Sequence, residues 1–462
     1  MTALLLGTLA AAFALLQAPG DSDLFWHLQQ GEWTLDHGRI LDRDLWSFTR
    51  ADTLYNTGAW LGDVVMALVY RAGGWVGLDV LRALLVGVAA LFTARITLRV
   101  QPHAGWAAVP LLGVILVSRM VWGDRPQLFT LALFPVVLDL LFSWRLEGRV
   151  RRLAFLPLLF FAWSNLHNAF VIGLVAVLVF SLDTLIEGDR RQRSIAGITF
   201  AISLVATQLN PAGAGAISRA AAYGALLPGW IVEDRPLDVL SGAGMVFAIL
   251  LLAALAAAML RGRDGITARL GVPWLWPGLI APFAVLALAI QRETPYACMV
   301  LAPFVAAMVP DALGRPSVPP LAIPRRVALA VVVALAIGLG VETLAAAPAQ
   351  PDLAAYPTGA LGALRAARGN LLNEYDWGGY LIRYAPEHPT FIDGRGEALF
   401  VPDVLADFQR AVALGPGYRD VLKRWDIALA LLRPDRPLAG ALFEDGWHLV
   451  ANGDGWVLLS RP

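Results

Sequence analysis

The chain returns again and again to apolar runs that are nearly free of charge, and a run of that kind has few places to go. A helix needs about 20 mostly apolar residues to cross a bilayer, somewhat fewer or more with tilt. Eleven segments approach that length: 2–18, 75–98, 105–122, 127–144, 153–165, 169–187, 195–209, 238–260, 272–290, 295–310 and 327–347. The first reads as a span rather than a signal peptide, because no positive residue precedes it and no small-x-small cleavage site follows. Only 16% of the residues are charged and 58% are hydrophobic, whereas soluble domains carry about 25% charge. The expected fold class is a polytopic α-helical membrane protein of about eleven spans with a C-terminal soluble α/β domain. Net charge is zero, which gives no support for a nucleic-acid partner. The single cysteine, Cys298, rules out an internal disulfide.

Arginine bias in the short loops sets the orientation. "RLEGRVRR" (145–152), "GDRRQRS" (188–194), "RGRDGITAR" (261–269) and the loop holding Arg315, Arg325 and Arg326 fall on alternate sides, which places the N-terminus in the cytoplasm. In a bacterial cytoplasmic membrane the residues after 350 then emerge outside. The opposite loops gather Asp21–His27, Asp124–Arg125, Asn165–Asn168, Asn210, Glu233–Arg235 and Arg292–Glu293 on the outer face. A transporter would more typically carry such groups near mid-membrane, in broken helices. A one-sided array points to a site at the outer interface.

Two domains are expected: a transmembrane domain over 1–349 and an extracytoplasmic α/β domain over 350–462. The first outer loop, 19–74, is too long for a linker. "DSDLFWHLQQGEWTLDHG" has a helix start at Asp21 or Ser22, apolar positions at Leu24, Phe25 and Leu28, and a stop at Gly38. "NTGAWLGDVVMALVYRAGG" predicts a second amphipathic helix closed by Gly73 and Gly74. Trp60 and Tyr70 would suit the headgroup level, so both helices are expected to lie on the membrane. In the last hundred residues "GGYLIRY", "PTFIDGR", "IALALL" and "WVLLS" read as strands, and "VPDVLADFQRAVAL" and "YRDVLKRWD" as helices.

The chemistry begins at Asp21, Asp23 and His27. Asp23 and His27 are four apart and share a helix face. Either Asp21 caps the helix and the other two are solvated, or a carboxylate here is a general base where water meets lipid. A metal set of these three is the lesser alternative, since two carboxylates and one histidine within seven residues recur by chance. In "WGDRPQ" (122–127), Asp124 and Arg125 cap two helix ends as a pair, or Arg125 faces a phosphate and Asp124 a substrate. "WSNLHNAF" (163–170) offers Asn165, His167 and Asn168 as a satisfied polar turn or as substrate hydrogen-bonding groups. Arg292, in "QRETPY" (291–296), is either compensated by Glu293 or contacts a lipid phosphate. Asp393-Gly394 is a turn pair, or a point where the C-terminal domain docks over the outer site.

These motifs together resemble the glycosyltransferase C superfamily. The matching residues are the "D-x-D-x-x-W-H" opening (Asp21, Asp23, Trp26, His27), a later "R-x-x-P" (Arg292, Pro295), and a distal pair formed by Trp377 to Leu381 and Phe391 to Arg395. The resemblance implies a polytopic enzyme that transfers a sugar from a polyprenyl-phosphate donor, with inversion, to an extracytoplasmic glycan, lipid or protein acceptor. It implies Asp21 or Asp23 as base and Arg292 or Arg125 as the partner of the donor phosphate. No cofactor is expected, and a divalent metal is left open. A lipid transporter or flippase is the runner-up, with Asp139 and Asp183 as its main intramembrane charges, and a non-catalytic membrane scaffold is the third possibility.

Overall fold

The structure is a computed structural model that describes residues 1–55, 58–218, 232–314 and 350–462, together with Gly338, Thr343 and Ala345. It divides into two compact units, one of residues 1–17 and 79–348 and the other of 18–78 and 349–462. The division therefore does not follow a single boundary near 350. Most of the first loop folds with the C-terminal segment, not with the other helices.

Six helices among the described residues, all but the start of the first within the helical unit, are long and apolar enough to cross a membrane. They are Trp60–Val100, Ala104–Val121, Gln127–Glu147, Phe170–Glu187, Gly242–Leu270 and Gln291–Ala312, and Thr2–Leu15 and Leu275–Ala289 are shorter apolar helices. Eleven full-length crossings are not what these residues form. The run at 153–165 spends its start on a 3₁₀ turn, Val150–Phe155, and leaves the eleven-residue helix Leu156–Leu166. The run at 195–209 belongs to Arg190–Ala206, whose first turn is polar and closed by an Asp189–Gln192 capping box. The span expected at 327–347 and the loop of Arg315, Arg325 and Arg326 lie outside the described residues, save Gly338, Thr343 and Ala345.

Thr294–Ala312 forms the middle of this unit. It is buried continuously from Thr294 to Met308, and packs on Ala104–Ser118, Gly242–Leu270 and Leu275–Ala289. The outward faces carry large apolar side chains, among them Ile249, Leu252, Met259 and Val285. A water-facing surface rarely tolerates that much contiguous apolar area, whereas hydrocarbon does. One end of the unit is basic and paired: Arg99 bridges Asp139 (3.0 Å) and Glu147 (2.7 Å), Arg145 holds Asp183 (2.6 Å), and Arg269 donates to the Val100 carbonyl (2.9 Å). Asp139 and Asp183 are thus ion-paired to arginine.

The α/β unit is built on a four-stranded sheet in the order β1-β2-β4-β3, where β1 is Asn370–Asn373, β2 Ile427–Leu432, β3 His448–Gly453 and β4 Trp456–Ser460. β1 and β2 are parallel, and the other pairs are antiparallel. The two expected helices form as Asp403–Val412 and Tyr418–Arg424. "GGYLIRY", expected as a strand, is the helix Gly378–Tyr384. A short apolar run buried all round has no periodicity to separate the two states. "PTFIDGR" is a loop with one bridge, Thr390 to Ser47, because Asp393 turns its carboxylate back onto Arg395. β1 and β3 carry no alternating apolar signal, and β3 is an exposed edge.

The first-loop helix forms as Leu24–His37 and stops at Gly38, whose φ of 63° is the left-handed conformation of a C-terminal cap. It does not lie free on a surface. Leu24, Phe25 and Leu28 are buried in the unit, and the helix packs on Gly378–Tyr384. Phe25 stands among the rings of Tyr356, Tyr380, Tyr384 and Trp75 at 5.2–6.2 Å. The second loop helix is broken at Gly74 (φ 58°, ψ −146°), and the chain then runs on as helix to Val100.

Candidate active site

Asp21 and Asp23 stand where the chain enters the helix Leu24–His37. The Asp21 carboxylate accepts the Asp23 backbone N–H at 2.9 Å, and its carbonyl accepts from Leu24. Asp23 occupies the N-cap position but makes no side-chain cap bond. Its Oδ1 instead accepts the indole N–H of Trp26 at 3.1 Å. The two aspartates thus differ in function within the fold: one side chain is bound to backbone at the helix entrance, the other is turned toward an indole. Both are half-buried. A half-buried carboxylate turned toward a side-chain donor suits a general base better than one engaged in closing a turn.

Around this carboxylate the packing is tight. Gly394, from the "FIDGR" loop, lies so close that a β-carbon placed on it would overlap Asp23 Oδ1 and crowd Trp26 Nε1. The backbone at Gly394 is not in the left-handed region, so glycine is needed here for space. Gly394→Ala is therefore expected to push Asp23 off its position. A misplacement of about 1 Å costs a reaction roughly 10²-fold, and overpacking this contact should cost about 1–3 kcal/mol of stability as well. Full transfer activity in a Gly394→Ala enzyme would separate this loop from the site.

His27 stacks on Trp26 with ring centroids 3.5 Å apart and turns Nδ1 to Asp63, 2.6 Å away. Asp63 is fully buried and also accepts from Gln30 Nε2 at 2.6 Å. The acid that meets His27 Nδ1 therefore comes from the first turn of Trp60–Val100, 36 residues on. The sequence offered only a lone acid near a helix start as its signal. Tyr356 completes the surroundings. Burial first, and then the charges of Asp21 and Asp23, push its phenol well above the ordinary tyrosine range, so it stays a hydrogen-bond donor.

The other expected residues belong to the helical unit. Asp124, expected to pair with Arg125 or to face a substrate, is buried with Arg82. Arg82 also binds Asp79 and the carbonyls of Ala14 and Gln17. A guanidinium with no exposed surface needs such partners, and Asp124 is one of them. Arg125 pairs with Glu233 at 2.6 Å, and Arg292 pairs with Asp234 at 2.9 Å and approaches Glu293 at 3.9 Å. Asn165 is buried and donates to the carbonyls of Phe161 (2.8 Å) and Leu209 (3.0 Å), which ties two helix ends together. His167 Nδ1 accepts from the Ala169 amide (3.3 Å) and lies 2.9 Å from Thr130 Oγ1, which also accepts from Trp163 Nε1. Asn165 and His167 are thus held as a satisfied polar turn, and Asn168 beside them is half-buried. Among the described residues no group of three or more His, Cys, Asp or Glu side chains is arranged to hold a metal ion.

No family model matches the sequence, and comparison with curated proteins finds no match. Solved structures do match. One is the archaeal oligosaccharyltransferase AglB from Archaeoglobus fulgidus, in complex with an inhibitory peptide and a dolichol-phosphate. The two agree with a TM-score of 0.57 at 12% identity, over 93% of this chain and 69% of that one. The likeness is one of fold.

The likeness of fold and the long apolar helices point to a membrane protein. The match to AglB covers nearly the whole chain, so it takes in both the helical and the α/β unit.

Proposed function

We propose that the protein is a membrane glycosyltransferase that moves a sugar from a polyprenyl-phosphate carrier to an acceptor hydroxyl or amide, with inversion. The observation that carries this is the half-buried Asp23 carboxylate, which makes no cap bond and is set by Trp26 and Gly394. The fold likeness to AglB, whose structure holds a dolichol-phosphate and a peptide, supports a lipid-phosphate donor and a separate acceptor. In the step, Asp23 takes the acceptor proton as the acceptor atom forms its bond to the anomeric carbon. The bond from that carbon to the phosphate oxygen breaks on the opposite face, and the phosphate leaves with the electron pair. An arginine that meets this phosphate stabilises the developing charge. Arg292 is the better candidate, because a quarter of its side chain is exposed against 13% for Arg125. The site belongs on the extracytoplasmic face of a bacterial cytoplasmic membrane, with the N-terminus inside.

The test is transfer of radiolabelled sugar from polyprenyl phosphate by the purified full chain. Arg292→Lys keeps a charge for Asp234 but loses the planar fork, and Arg292→Ala loses both. A hydrogen bond to a charged group contributes about 1.5–3 kcal/mol, so use of the donor should weaken roughly 10- to 100-fold, least for the lysine variant. A donor KM and turnover unchanged in both variants would take Arg292 out of the site.

A further inference from the structure

The α/β unit holds a cavity of about 400 Å³ lined by Tyr356, Trp377, Arg433, Asp435, Asp454 and Trp456, with short backbone stretches beside them. Its size lies within the range of small-molecule sites, about 300–1,000 Å³. Three aromatic rings supply apolar wall. Trp377 is fixed by donating its indole N–H to the Ala355 carbonyl at 2.8 Å. Arg433 lies over the Trp377 ring at 5.5 Å and is held by Asp376 at 3.0 Å. Asp435 and Asp454 are exposed, and among the described residues neither has an ion-pair partner.

That mixture selects a class of ligand. Two unpaired carboxylates repel a phosphate or a carboxylate, and a guanidinium in the same wall disfavours a cation. A neutral polyol satisfies all three, donating hydroxyl protons to the aspartates and accepting from Arg433, while its C–H faces lie on the rings. We propose that the cavity is a saccharide-binding subsite that holds the acceptor. That it holds the acceptor, and not some other sugar, rests on the transferase function above. One wall supports this link, since the Tyr356 ring packs at 5.2 Å on Phe25, in the first turn of the helix that Asp23 precedes.

The experiment is saturation-transfer difference NMR on the full chain in lipid nanodiscs. The probes are neutral methyl hexosides, pentosides and N-acetylhexosaminides, with choline and methyl phosphate for comparison. The neutral glycosides should receive saturation and the two charged probes should not. The Asp435→Asn/Asp454→Asn double variant should bind them at least tenfold more weakly. Asp454 and Gly455 form the two-residue turn between β3 and β4; its left-handed position is held by Gly455 (φ 76°), which the variant leaves in place, and asparagine matches aspartate in size. A loss in this variant therefore does not reflect a broken hairpin. Binding of choline or methyl phosphate in place of glycosides, or glycoside binding unchanged in the double variant, overturns the subsite. If wild type transfers sugar and Asp23→Asn does not, yet no glycoside binds, the subsite falls and the transferase stands. Glycoside binding that needs both aspartates, without transfer from any polyprenyl-phosphate sugar, leaves the subsite standing and overturns the transferase.

Discussion

Asp23→Asn is expected to lower sugar transfer by roughly 10²–10⁴-fold, the usual contribution of a positioned base. Asparagine keeps the size of the side chain and an oxygen that accepts the Trp26 indole N–H, so the local packing survives and only basicity is lost. Asp21→Asn should cost less than about tenfold, because the Asp21 carboxylate accepts a backbone N–H at 2.9 Å and asparagine does this about as well. The contrast between the two is the informative result, measured as turnover with saturating donor. Wild-type rates in both variants would place the base elsewhere and remove the centre of the mechanism. A large equal loss in both would instead mean that the two aspartates act as one unit.

Arg395→Ala should destabilise the α/β unit by about 3–5 kcal/mol, the usual cost of removing one partner from a buried ion pair. Arg395 is fully buried, with Nη1 2.6 Å from Asp44 and Nη2 2.7 Å from Asp393. Its guanidinium lies 5.2 Å from the Trp46 ring, 5.4 Å from Tyr55 and 5.9 Å from Phe400. Burial would lower its proton affinity, but the charges of Asp393 and Asp44 more than reverse this and keep it cationic. Taking it away leaves two carboxylates facing each other without water. Asp44 also accepts from the Trp46 and Ser47 amides, so the damage should spread along the loop that meets Thr390. Gly394 sits between Asp393 and Arg395, and the loosened loop should let Asp23 drift as well. A thermal melt of the full chain followed by limited proteolysis reads both effects. An Arg395→Ala protein with unchanged melting temperature and no new cleavage between residues 40 and 60 would contradict this account.

Much of the local structure was legible in the residues themselves. The membrane character, the helix from Leu24 to its stop at Gly38, the strands Ile427–Leu432 and Trp456–Ser460 and the helix Asp403–Val412 follow from periodicity and turn chemistry. These act within a few residues of one another. The pairing of distant groups was not legible. Arg395 meets Asp44 across 351 positions, His27 meets Asp63 across 36, and Asp124 meets Arg82 across 42. Which acid neutralises a buried cation is decided by packing in three dimensions, where many acids are chemically equivalent candidates. Burial also hid the state of Gly378–Tyr384, since a segment covered on all sides shows no apolar face to count. The sequence by itself determined that the chain enters a membrane and that two aspartates stand at the start of a loop helix. Only the tertiary structure decided how Asp23 is confined, because Gly394 reaches it from the far end of the chain through a contact that no local pattern encodes.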